Sequence, residues 1–409
     1  MAGVAVELDP SEAGFDPARL ARLDGRLRRF VDDGRLPGWQ LVVNRHGKVV
    51  HTTCYGQRDV ERGLPIEPDT RYRIFSMTKP ITALAIMMLV EQGELLLTDE
   101  IRRWLPEFAE PRVYAGGSDL APATVPATEP IRVRHLLTHT AGLSYGFLRA
   151  NPVAMMYRNA GLAEFGNGDR TLAELCQAWA ALPLVFRPGT EWQYSVASDV
   201  LGRLVEVVSG QSLESFFDQH ILGPLGMRDT SFRVAEADRD RLAALYQAGP
   251  DGFSPAARSM AESVFAPRWP SGGGGLVSTA ADYRRFTQLL LGDGSFDGVR
   301  LLAPATARLM HANHLPGNQD LASFGQPLYA ETPMVGVGFG LSMSTVIDPV
   351  ACGMAASLGD YGWGGLASTT FTVDPVLDLS YEFYTQLVPS SALPIRPLLR
   401  QLVHQSIIG

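Results

Sequence analysis

The residues best suited to chemistry are Ser76-Met77-Thr78-Lys79, at the head of an apolar stretch running from Ile81 to Val90. On a helix, a spacing of three puts a hydroxyl and an amine on one face, one turn apart. A serine at a helix start also has backbone N–H groups converging beside it, which suits a developing oxyanion. A neutral lysine amine can take the proton of a serine hydroxyl, and burial favours the neutral form. The chain has only two lysines, Lys48 and Lys79, among its 35 basic residues. Arginine keeps its proton at physiological pH and cannot replace lysine in this chemistry. Lys48 lies in a β-branched run and is expected on an exposed strand. Ser-x-x-Lys is short and recurs by chance, so its weight depends on its company.

Two further constellations provide that company. Tyr194-Ser195-Val196 follows Arg187-Pro188-Gly189 and precedes a helical pattern. A tyrosine so placed can reach into a cleft and share a proton with a serine or lysine, although alone it reads as an ordinary half-buried side chain. Gly362-Trp363-Gly364-Gly365 precedes the apolar run Leu366 to Val373. Glycines there permit close approach of backbone to a ligand, or simply a tight turn into a strand.

Two patterns are decoys. Gly142-Leu143-Ser144-Tyr145-Gly146 matches the Gly-x-Ser-x-Gly elbow, which requires a preceding strand. The residues before it, 131–139, read as helix, so Ser144 is not expected to be a nucleophile. His135 and His139 have the i, i+4 spacing of a zinc helix, but Leu136 stands where the protease motif needs glutamate. Helix packing and capping is the better use for that pair.

The elements that must hold these residues follow from periodicity. Helices are predicted over 17–33, 77–92, 131–139, 171–181, 196–209, 212–220, 280–291 and 395–407. The 77–92 helix is apolar nearly all round and is therefore expected to be central. Two β-branched runs around Asn44-Arg45-His46-Gly47 predict a hairpin. Strands are expected at 338–346, 366–373 and 377–387. The segment 114–130, rich in Gly, Ala, Pro and Thr, reads as a long loop. The implied fold class is α+β: an antiparallel sheet flanked by helices and built from both termini, with an inserted mostly helical domain. The expected boundaries are 1–76 with 280–409 for the sheet domain and 77–279 for the helical one, with the active site at their junction. The run Gly272-Gly273-Gly274-Gly275 reads as a flexible point and a domain junction. Loops 110–130 and 144–170 are expected to shape the pocket.

Composition excludes several function classes. The chain has 409 residues, 46% hydrophobic and 19% charged, which suits substantial cores and not a disordered chain. A net charge of −8 without a Lys/Arg cluster makes a poor nucleic-acid or anionic-membrane binder. No run approaches the length of a spanning helix. The start lacks a basic region, and Glu7 and Asp9 interrupt its apolar character, so a secretory leader is not expected. Cys54, Cys176 and Cys352 are odd in number and far apart, which fits a reducing cytoplasm.

Taken in order, the motifs Phe75-Ser76-Met77-Thr78-Lys79-Pro80, Leu136 through Leu143, Tyr194-Ser195-Val196, Gly274 through Thr279 and Trp363-Gly364-Gly365 resemble the serine β-lactamase-like superfamily. The resemblance is to its class C β-lactamase and family VIII carboxylesterase branch. It implies that Ser76 is the acylated nucleophile and that Lys79 and Tyr194 are its joint proton-transfer partners. It implies an oxyanion hole made by the backbone N–H groups of Ser76 and Leu366, and a substrate-binding surface including Trp363, Gly364, Gly365 and Val196. Two departures matter. Trp363-Gly364-Gly365 stands where β-lactamases carry Lys-Thr-Gly, and Val196 stands where they carry asparagine. Both remove groups that grip a β-lactam, and both are typical of the esterase branch.

The expected function is a serine carboxylesterase acting on short-chain esters, with a small-molecule ester as partner and no metal or organic cofactor. An acyltransferase using the same acyl-enzyme, and a β-lactamase or D-Ala-peptidase-like hydrolase, are the alternatives. From a different class, a binding module that lost the chemistry would fail to react with a fluorophosphonate probe.

Overall fold

The computed structural model describes residues 3–148, 151–162, 170–325 and 334–409. Its N-terminal helix, α1 (Pro17–Asp32), starts at Asp16, whose side chain accepts hydrogen bonds from the N–H groups of Ala18 and Arg19, with Pro17 in the first turn. The chain then forms strands β1 (Gly38–Arg45), β2 (Lys48–Asp59) and β3 (Leu64–Pro65). Five more strands come from the C-terminal part: β4 (Val337–Phe339), β5 (Ser344–Val346), β6 (Tyr361–Gly364), β7 (Thr370–Asp374) and β8 (Leu379–Tyr384). Together they make one eight-stranded sheet in the order β4-β5-β6-β7-β8-β1-β2-β3. Every neighbouring pair is antiparallel. The α+β class expected from the sequence is the fold observed.

Strand β1 is buried along its whole length, because helices cover both faces of the sheet. Leu41 and Val43 point into a core shared with Leu20, Leu23 and Leu27 of α1 and with Leu399 and Val403 of α5, the closing helix Ile395–His404. Val42 points the opposite way, into the main core with Tyr283, Phe286 and Leu289 of α4 (Ala280–Leu291). That main core also holds α2 (Thr78–Glu91), whose residues from Thr78 to Leu89 are all buried. Each large apolar side chain buried there stabilises the fold by about 1.5–3 kcal/mol. A further helix, α3 (Ala197–Ser209), packs on the same core through Val200, Leu201, Leu204 and Val205. Among the described residues, no helix is long and apolar enough to cross a membrane.

Several local expectations are corrected. The segment read as a loop over 114–130 contains a hairpin, Arg112–Gly117 with Pro122–Pro126. Its residues are mostly exposed, so it carries no apolar alternation. The single strand expected over 338–346 is two, β4 and β5, separated by a turn with Ser342 at φ 66°. Strand β6 replaces part of what read as a turn. The helix expected over 131–139 ends at Leu137, and His139 has φ 55°.

Candidate active site

Ser76 sits in a tight turn, Phe75–Met77, that runs directly into α2. Phe75 has φ 43°, an unfavourable left-handed conformation for a bulky residue. Its ring is locked against Leu245, Ala367 and Val388, and this packing sustains the conformation that presents Ser76. Tyr283 of α4 donates to the Met77 carbonyl at 2.9 Å and pins the turn from below.

Lys79 lies one turn further along, as the spacing predicts, and is only 1% exposed. Its Nζ is 3.1 Å from Ser76 Oγ and donates to the Gly273 carbonyl at 2.6 Å. The same Nζ lies 4.6 Å from the ring centre of Tyr194 and 5.4 Å from that of Tyr145. An amine at this distance can exchange a proton with the hydroxyl. Lys48, the other lysine, is exposed on β2, as expected.

Tyr194 is packed among rings. Its ring centre is 4.9 Å from His139, 5.3 Å from Tyr145 and 5.6 Å from Trp363. Trp363 Nε1 donates to the Tyr194 hydroxyl at 3.3 Å. The indole therefore does more than wall the cleft: it holds the phenol oxygen. Val196, by contrast, is buried in the main core immediately before α3.

Trp363 and Gly364 end β6, and Gly365 begins a turn closed by its N–H to the Thr369 carbonyl at 2.9 Å. A Cβ on Gly365 would lie 2.5 Å from the Ile74 carbonyl, so glycine lets this turn press against the segment carrying Ser76. Arg396 of α5 braces the turn, donating to the carbonyls of Gly365 at 2.9 Å and Thr369 at 3.3 Å. Leu366, whose N–H the resemblance assigns to the oxyanion hole, lies in this turn with its side chain against the Phe75 cluster.

The glycine run is the largest surprise. Gly272 and Gly273 are buried, and the loop is a packed part of the site. Thr82 of α2 donates to the Gly272 carbonyl at 2.7 Å, and the Leu276 N–H donates to Thr78 Oγ1 at 3.2 Å. Sequence reasoning also missed Asp199, Tyr145 and His139 as neighbours of Lys79. Burial pushes the His139 imidazole well below its ordinary range, and the Lys79 charge pushes the same way. Tyr145 is the described part of the 144–170 loop that meets the site, and Phe147 stacks on it with 4.6 Å between centres. The rest of that expectation falls partly on residues 149–150 and 163–169, outside those described.

The two decoys fare differently, since His139 lies beyond the helix end, beside Tyr194 and Lys79, and takes no part in helix packing or capping. Ser144 is fully buried, and its Oγ accepts from Gln193 Nε2 at 3.3 Å. His135 caps its own helix, Nδ1 accepting from the Arg132 N–H at 3.2 Å, and burial with Arg134 and Arg132 nearby brings its pKa down to about 4. Among the described residues, Asp360, Asp374 and His404 could bring ligand atoms within 4.8 Å of one another. There the Arg400 guanidinium is paired with Asp360, and His404 Nε2 lies 3.4 Å from Asp374 Oδ2.

The profile of the family described as Beta-lactamase matches residues 23–405 of this sequence. The chain belongs to the Beta-lactamase family. Within it, this family member is 39% identical over 375 residues to protein Rv1367c of Mycobacterium tuberculosis, covering 90% of each chain. It is 36% identical over 399 residues to esterase EstB of Burkholderia gladioli, covering 93% of this chain and 94% of the esterase. Among solved structures, it is similar to EstCE1, described as a hydrolase with promiscuous acyltransferase activity. That match has a TM-score of 0.79 and 29% identity over 96% of this chain and 99% of EstCE1.

Proposed function

We propose that this serine hydrolase is a carboxylesterase that works through an acyl-enzyme on Ser76. The observation that carries the reading is the buried Lys79 Nζ at 3.1 Å from Ser76 Oγ, with the Tyr194 ring centre 4.6 Å from the same nitrogen. Ser76 Oγ attacks the ester carbonyl, and its proton passes to the Lys79–Tyr194 pair. The tetrahedral oxyanion is taken by the N–H groups of Ser76 and Leu366. The ester C–O bond then breaks, and the alcohol leaves with the proton returned by that pair. Water deacylates Ser76 along the reverse route and releases the carboxylic acid.

The ester preference is supported by what stands beside the nucleophile. A β-lactam needs cationic and amide groups to hold its carboxylate and side chain. Here an indole occupies the place of the lysine, and Val196 is turned into the core. A lost hydrogen bond to a charged group costs about 1.5–3 kcal/mol, roughly tenfold to more than a hundredfold. The name of EstB, an esterase, supports the same reading. The description of EstCE1 supports a second one, in which an alcohol competes with water for the acyl-enzyme. The odd number and wide spacing of Cys54, Cys176 and Cys352 support a reducing compartment, and we propose the cytoplasm.

The test is kcat/KM for p-nitrophenyl butyrate beside nitrocefin. The ester is expected to be turned over far better. Parity, or a preference for nitrocefin, moves the protein to the β-lactamase branch.

A further inference from the structure

Asp199 is the third residue of α3 and only 4% exposed, so its carboxylate needs donors. Two reach the same oxygen: Ser271 Oγ donates to Oδ1 at 2.6 Å and the Gly273 N–H at 2.9 Å. The other oxygen lies flat against the loop, since a Cβ on Gly273 would meet Oδ2 at 2.6 Å. On its carbonyl side, the same Gly273 receives the 2.6 Å hydrogen bond from Lys79 Nζ. One residue thus joins a buried carboxylate to a buried amine.

We propose that Asp199 is a positioning residue for Lys79, acting through Gly273 and supplying a buried negative charge beside the amine. The proposal rests on the reading of Ser76 and Lys79 as nucleophile and proton partner. Asp199 fixes the Ser271–Gly273 loop, the loop fixes the carbonyl, and the carbonyl aims Nζ at Ser76. The titratable groups facing Asp199 are Lys79 from α2, Tyr145 from the loop before residue 149 and Cys176 from the helix Leu172–Ala180. Tyr194 and His139 complete the group around Lys79. Burial pushes the Asp199 carboxyl up, while Ser271, Lys79 and Gly273 pull it back down.

Asp199→Asn keeps the shape and an oxygen that can accept both hydrogen bonds, but removes the charge. A carboxylate favours the protonated form of a neighbouring amine. Its neutralisation should therefore move the acid limb of the kcat/KM profile to lower pH, by about one unit. Asp199→Ala also frees the loop and should lower kcat by about tenfold or more, with KM changing less. Ser271→Ala removes one of the two anchors and should lower kcat by a smaller factor, which keeps the test open if Asp199→Ala does not fold. A profile for Asp199→Asn that superimposes on the wild type or moves to higher pH overturns the proposal, as does an unchanged kcat in Ser271→Ala. Fluorophosphonate labelling separates the two levels of the argument. Wild-type protein unlabelled at Ser76 overturns the nucleophile reading and this proposal with it. Labelled wild type with unmoved variants overturns the Asp199 role alone.

Discussion

Replacing Trp363 with phenylalanine isolates the indole N–H that holds Tyr194. Phenylalanine keeps an aromatic ring facing Tyr194 and Phe339, whose centres lie 5.6 and 5.3 Å from the indole, and deletes the 3.3 Å donor to the phenol oxygen. A neutral hydrogen bond is worth about 1 kcal/mol, or roughly fivefold in rate, and one to a charged oxygen about 1.5–3 kcal/mol, or roughly tenfold to more than a hundredfold. If Tyr194 carries negative charge as it relays the Ser76 proton, the larger range applies. We expect kcat/KM for p-nitrophenyl butyrate to fall by tenfold or more, mainly through kcat. Thermal unfolding of the variant, run in parallel, should show a small loss from the missing ring. A fall near fivefold would mean a tyrosine that stays neutral throughout. Activity within twofold of the wild type, at unchanged stability, would falsify the claim that the indole acts on Tyr194.

Two other substitutions probe the same site. Lys79→Arg should be nearly as damaging as Lys79→Ala, because arginine keeps the charge but cannot take a proton near neutral pH. Retention of more than about a tenth of wild-type kcat/KM, a loss under ~1.4 kcal/mol, would reduce Lys79 to an electrostatic anchor. Ser144→Ala should keep most of the ester hydrolysis, since Ser144 is buried with Gln193 as its partner. A Ser144→Ala protein as inactive as Ser76→Ala would reverse the assignment of nucleophile.

The parts of the molecule legible in the sequence are those set by local physics. Ser76 and Lys79 meet because three residues make a helical turn, and the hairpin of β1 and β2 follows from β-branched runs around a short turn. The parts that were not legible depend on distant partners. The hairpin over 112–126 shows no alternation because Val113 alone among its residues is buried. Strand β6 is half glycine, and its identity comes from pairing with β5 and β7. His135 and His139 have helical spacing, but the helix ends between them. The glycine run has the composition of a flexible joint, yet its glycines admit Asp199 and Ser198 at distances a Cβ would block. Asp199 itself looks like an ordinary first-turn acid, and only a contact 74 residues away turns it toward Lys79.

Trp363 shows how a substitution can change the outcome of a site while its core chemistry stays. The proposed nucleophile Ser76 and the Lys79 amine lie one helical turn apart, 3.1 Å from each other. The residue beside them carries an apolar ring with one donor, which Tyr194 uses. That combination retains the means to move a proton and gives up the means to bind a carboxylate. On the proposed reading, it should favour uncharged esters over anionic lactams, which the comparison of p-nitrophenyl butyrate with nitrocefin checks.

Acylation of Ser76 can be read out by peptide mapping after reaction with a fluorophosphonate or a slowly deacylating p-nitrophenyl ester. One adduct per chain is expected on the peptide containing Ser76, and none in Ser76→Ala. An adduct on Ser144, or an active enzyme whose Ser76 stays unmodified, would contradict it.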